Sequence, residues 1–129
     1  MKWTLKAVVF TVLLTTAILT ASISVQPATA HTRAQAKTIV ARVANQRGLC
    51  KADRIALYKI AKRESNYRHL ARSNGGNGKY KGIFQLGFKK MGSKWKDPAW
   101  NTRRAIKYIK HRYGTPRKAL AHSNRYGWY

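Results

Sequence analysis

A single cysteine, Cys50, limits the folds open to this chain more than any other feature. One thiol cannot close an internal disulfide, so no covalent staple compensates for a thin core. A chain of 129 residues has room for one domain, and its stability must come from a compact apolar interior. Cys50 is then a small core residue, a free thiol or a link between chains. The core residue is the common fate of an unpaired cysteine.

The first thirty residues stand apart from that interior. Met1 to Lys6 is short and basic, an apolar run diluted by Thr and Ser extends from Ala7 to Val25, and Pro27-Ala28-Thr29-Ala30 ends on a small-x-small pattern. Together these read as a cleavable secretory signal over residues 1–30, which places the mature protein outside the cell. A retained membrane anchor is the alternative, because the apolar run approaches spanning length. The hydroxyls within the run and its Ala-Thr-Ala ending argue against it. Charge is read in the light of export. The chain carries 27 Lys and Arg against 3 Asp and Glu, a formal charge of +24. In a cytosolic protein this would mean nucleic acid. Behind an export signal it points to anionic wall polymers or lipid headgroups, and nucleic acid is not an expected partner.

The remaining residues carry helix signals. Thr32 with Gln35 forms a capping box opening a helix to about Gln46, with Ile39, Val40 and Val43 on one side and Gly48 placed to stop it. This helix, within residues 31–50, is expected to be a brace or spacer outside the main core. A second helix runs from about Ala52 to Glu64 with Asp53 in its first turn. Leu57, Ile60, Ala61 and Glu64 share one face of it, opposite Lys59, Lys62 and Arg63. Arg72 to Lys79 is a Gly- and Asn-rich loop, and Tyr80 to Leu86 is a short strand or a tight turn. Asp97-Pro98 opens a helix ending near Gly114, and Thr115-Pro116 opens a last one through about His122. The fold class is mainly α, with at most a small β hairpin.

Only three side chains can carry carboxylate chemistry: Asp53, Glu64 and Asp97. Asp53 and Asp97 suit helix N-termini. Glu64, the only glutamate, lies near a helix C-terminus on an apolar face. Both settings disfavour its charged form and raise its pKa, as a general acid requires, while Lys62 and Arg63 act the other way. A two-carboxylate glycosidase needs its pair about 5–9 Å apart. Asp53 is roughly 16 Å from Glu64 along their helix at 1.5 Å per residue, so a single-carboxylate mechanism is favoured. No metal site is expected, since His31, His69, His111 and His122 lack ligand spacing and Cys50 has no companion. No cofactor is expected either: Gly75 to Lys79 lacks the spacing of a phosphate-binding loop.

Glu64-Ser65-Asn66-Tyr67, a loop with Ala71 and Ser73, then Gly82-Ile83-Phe84-Gln85, resembles the signature of lytic transglycosylases with the lysozyme-like fold. Asp97-Pro98, Asn101, Ala105 and Tyr108-Ile109 are similar to that family's next helix. The ending Tyr113-Gly114-Thr115-Pro116, Ala119, Ala121-His122 and Gly127-Trp128-Tyr129 resembles its small exported Gram-positive branch. The match spans about residues 52 to 129. It departs from the family in a loop two or three residues longer between Glu64 and Gln85, and in His122-Ser123 where the family has Tyr-Asn.

The resemblance implies a catalytic domain over residues 51–129 that cuts peptidoglycan glycan strands as a monomer, with Glu64 as acid and then base. It also implies that Ser65 orients Glu64, that Gln85 bonds the sugar, and that Tyr108 and His122 line the cleft. Packing roles for Tyr108 and His122, and local backbone bonding by Ser65 and Gln85, are the alternatives. Trp95, Trp100 and Trp128 are expected in the core, with stacking on sugar rings as the alternative. A water-using muramidase and a non-catalytic cationic wall-binding protein are the competing functions.

Overall fold

The computed structural model describes residues 30–87 and 91–129. The secretory signal and the alternative anchor lie outside these residues, apart from Ala30. Among the described residues the chain is mainly α: α1 Arg33–Gln46, α2 Lys51–Ser65, α3 Pro98–Tyr113 and α4 Pro116–Tyr126, with short 3₁₀ turns at Gly76–Gly78 and Lys94–Lys96. No described helix is long and apolar enough to cross a membrane.

The caps form as the sequence signals require. Thr32 and Gln35 exchange side-chain bonds with each other's backbone N–H at 3.2 and 2.8 Å, and Asp97 accepts from the Ala99 N–H at 2.9 Å. Thr115 accepts from the Lys118 N–H, with Pro116 at the first helical position. Gly48 sits at φ +67, the left-handed conformation that ends α1. α4 runs to Tyr126, one turn beyond His122, until Gly127 at φ +78 stops it. Arg63 stabilises that extra turn: its guanidinium donates to Ser123 Oγ at 2.6 Å and to Asn124 Oδ1 at 2.7 Å.

One apolar cluster joins all four helices. Leu57, Ile60 and Ala61 of α2 meet Ala105, Ile106 and Ile109 of α3 and Ala119 of α4. α1 is no outlying brace, because Ala36, Val40, Val43 and Ala44 are buried in the same cluster and α1 packs on α2 and α3. A domain this small cannot leave so apolar a face in water. Cys50 is not a core residue. It is exposed at the N-cap of α2 and its thiol donates to Asp53 Oδ2 at 3.3 Å. Asp53 does more than complement a dipole, since Arg117 Nε of α4 lies 2.9 Å from its Oδ1.

The segment expected to be a strand or a turn is a turn. Isolated antiparallel bridges pair Arg72 with Lys81 and Lys81 with Leu86. Between them Gly82 takes φ +80 and Gln85 φ +46. Gly82 is required twice over. A Cβ there would lie 2.7 Å from Asn101 Cγ, and closer still to its amide nitrogen.

Candidate active site

Three interactions fix this turn against the helices. Ser65, last residue of α2, donates from Oγ to the Ile83 carbonyl at 2.8 Å. Asn101 of α3 is fully buried, accepts from the Phe84 N–H at 3.0 Å, and turns its amide NH₂ toward the Lys81 and Trp95 carbonyls. Tyr129 Oη donates to the Phe84 carbonyl at 2.6 Å. Residues distant in sequence thereby hold one rigid edge beside the end of α2.

That edge and Glu64 bound a cleft of about 490 Å³, within the usual range for a small-ligand site. Gln85, Phe84 and Leu86 of the turn form one wall. Tyr108 of α3 with Trp128 and Tyr129 forms another, and Ser73, Lys79 and Tyr80 close the loop side. The Tyr108 and Tyr129 rings stand 6.0 Å apart, edge to face. The lining therefore joins aromatic faces to a few polar groups, which suits a ligand with both apolar C–H faces and hydroxyl edges.

Glu64 is half-buried in this setting. Burial raises its carboxyl pKa above the ordinary value, while Arg63 opposes the rise. This is the direction its helix position and apolar face imply. Tyr129 is pushed well above the usual phenol range, first by burial and then by the Glu64 charge and the neighbouring Tyr108 and Tyr113. It therefore stays protonated and keeps its bond to Phe84. Tyr108 is raised mainly by burial, with Tyr113 adding to it.

The other two carboxylates are committed elsewhere. Asp53 holds Arg117 and the Cys50 thiol, and these partners lower its pKa although burial alone would raise it. Asp97 caps α3 and opens on a separate cavity with His31 and His69. Glu64 is thus the only side-chain carboxylate in the cleft. No group of His, Cys, Asp and Glu among the described residues could hold a metal ion.

Of the residues singled out from sequence, the cleft brings together Glu64, Gln85 and Tyr108. Gln85 faces it while its side-chain amide donates to the Gly82 carbonyl at 2.9 Å, which supports its left-handed backbone. Ser65 is buried and tied to the turn, so its part is to hold the Gln85 wall against α2. His122 is not among the lining residues. Its Nδ1–H donates to the Trp128 carbonyl at 2.9 Å and its ring meets the Trp128 ring at 4.4 Å, so it props a lining residue. Trp95 is buried as expected, but Trp128 is half-exposed and lines the cleft.

Sequence reasoning missed Tyr80 and Tyr129 as wall residues and Asn101 as the strut of the turn, and it favoured the core over the sugar-stacking alternative for Trp128. The crowding of aromatics from Tyr126 to Tyr129 was the available signal for Trp128 and Tyr129. No protein-family model, curated protein or solved structure matches the chain.

Proposed function

We propose that the protein is an exported peptidoglycan lytic transglycosylase, with Glu64 as both general acid and general base. The observation that carries this reading is the cleft itself: Glu64 is its lone side-chain carboxylate, and each further motif of the resemblance supplies another lining residue. Gln85 comes from the second motif, Tyr108 from the third, and Trp128 and Tyr129 from the ending.

The chemistry follows from having one carboxyl. Protonated Glu64 donates to the oxygen joining N-acetylmuramic acid to N-acetylglucosamine, and the bond from that oxygen to the muramic C1 breaks. Glu64, now a carboxylate, takes the proton of the muramic C6 hydroxyl, whose oxygen bonds to C1. The product is a 1,6-anhydro ring and Glu64 ends protonated. No water is consumed, so no second carboxylate is needed to activate one. The raised pKa serves the first step. Anionic wall polymers are the partners proposed for the surrounding positive charge.

Mass spectrometry of peptidoglycan digests tests this. Wild type should release glycan ends lighter by one water than hydrolysis would give, and Glu64→Gln should release none. Ends carrying the elements of water would instead assign hydrolysis. Undiminished lysis by Glu64→Gln would leave only a non-catalytic, charge-driven action.

A further inference from the structure

A second groove lies away from the cleft, where the C-terminus of α1 meets α3. It encloses about 450 Å³ and is lined by Arg47, Trp100, Arg103, Arg104, Ile106, Lys107 and Lys110. Five of these seven are cations and none is acidic. All three side-chain carboxylates of the chain are placed elsewhere, in the Arg117 pair, the cleft and the α3 cap. On α3, Arg103, Lys107 and Lys110 follow at i, i+4 and i+7. They form one stripe with axial steps of about 6 and 4.5 Å. At about 100° per residue this stripe lies some 130° around the helix from Tyr108. An occupant of the groove would leave the cleft open.

We infer that this groove binds the phosphate backbone of a flexible polyol-phosphate polymer, the chemistry of an anionic wall polymer. Three observations favour that ligand over other polyanions. The groove encloses only about 450 Å³, which suits a short stretch of one flexible chain. Single-stranded nucleic acid binds through open aromatic faces for its bases, and the groove's one aromatic ring, Trp100, is half-buried with the Arg104 guanidinium over it, 5.7 Å from its centre. Firm seating on a lipid surface adds inserted apolar side chains to the attraction of basic residues for anionic headgroups. The exposed large hydrophobics, Ile55, Leu70, Tyr80, Tyr126 and Trp128, all lie outside the groove. The inference gives a location to the wall-polymer partnership proposed above, and it does not depend on Glu64 chemistry.

The test is equilibrium binding of the full chain to purified poly(glycerol phosphate) across a salt series. Arg103→Gln/Lys107→Gln/Lys110→Gln is compared with Lys37→Gln/Lys51→Gln/Lys118→Gln, which removes the same charge from exposed positions on α1, α2 and α4. The groove variant should bind about tenfold more weakly at physiological salt, with its log–log salt slope reduced by about 2 for three lost phosphate contacts. The control should change affinity less than threefold. Equal loss in both variants would reduce the effect to net charge and overturn the site. Stronger groove-dependent binding of oligo-dT or of anionic vesicles would overturn the polyol-phosphate assignment. Circular dichroism of each variant guards against misfolding, with single Lys107→Gln and Lys110→Gln variants substituting if the triple fails to fold. Because the readout is binding, inactivity of the wild type toward glycan would sink the transglycosylase reading and leave this result standing.

Discussion

Replacing Gly82 by alanine is the sharpest probe of how the cleft is built. The backbone there sits at φ +80, and an L-residue in the left-handed region costs about 1–2 kcal/mol. The new methyl would also lie 2.7 Å from Asn101 Cγ and 3.0 Å from the Trp95 carbonyl oxygen. Asn101 cannot simply retreat, because it is fully buried and holds the Phe84 N–H at 3.0 Å. Overpacking of this kind costs about 1–3 kcal/mol. Together Gly82→Ala should cost about 2–5 kcal/mol, a large part of the roughly 5–15 kcal/mol that holds a typical domain. Asn101→Ala removes the clash partner but strands the buried Phe84 N–H, costing about 1–3 kcal/mol. The double variant has room for the methyl, so its loss should fall short of the sum by about 1–2 kcal/mol, as neighbouring sites do when they couple. Urea denaturation followed by circular dichroism measures all three. A Gly82→Ala cost below about 1 kcal/mol, or strict additivity, would refute the close approach of Asn101 to the turn.

Further outcomes follow from single side chains. Under the proposed mechanism the rate of glycan cleavage should hold at low pH and fall as pH rises through a Glu64 pKa above the ordinary carboxylate value; a kcat/KM profile with its limb at or below that value would contradict the burial of this acid. The same raised pKa favours the fold fully at pH below the unfolded value, and this contribution is lost as pH rises through the folded value. Glu64→Gln should therefore melt higher than wild type at neutral pH and not below about pH 4, by differential scanning calorimetry. Asp53 has the opposite sign: its lowered pKa adds stability above the unfolded value that disappears as pH falls through the folded one. Asp53→Asn should thus cost about 1 kcal/mol at neutral pH, the scale of a solvent-screened pair, and nothing in strong acid. Tyr129→Phe deletes the bond to the Phe84 carbonyl, so thermal melts should show a loss of about 1 kcal/mol and the lytic rate should fall with it.

What the sequence disclosed was local. The Thr32–Gln35 box, Asp97-Pro98 and Thr115-Pro116 are signals complete within four residues, and all three act as caps. The α2 stripe could be read because burial at Leu57, Ile60 and Ala61 follows helical spacing. What stayed hidden depends on partners far along the chain. The extra turn of α4 is held by Arg63, sixty residues away. Trp128 faces the cleft because Tyr129 bonds the Phe84 carbonyl and His122 holds the Trp128 backbone, and no periodicity announces either bond. Cys50 is exposed because it falls at the N-cap of α2, where its thiol serves Asp53. Helix register depends on neighbours; the far wall of the cleft depends on closure of the whole fold.

The near absence of acidic side chains reaches beyond binding. Among the described residues Arg117 with Asp53 is the one ion pair, in a chain of 27 Lys and Arg against 3 Asp and Glu. The native state therefore concentrates like charges that an unfolded chain would spread apart. Added salt screens that repulsion and should raise the melting temperature, while the same screening would loosen the polyanion contact proposed above. A polyanion bound to the folded state shifts the folding equilibrium by mass action, acting as a fixed reservoir of counterions. Detachment would then leave the protein both free and less stable, and its working lifetime would be longest where it is held.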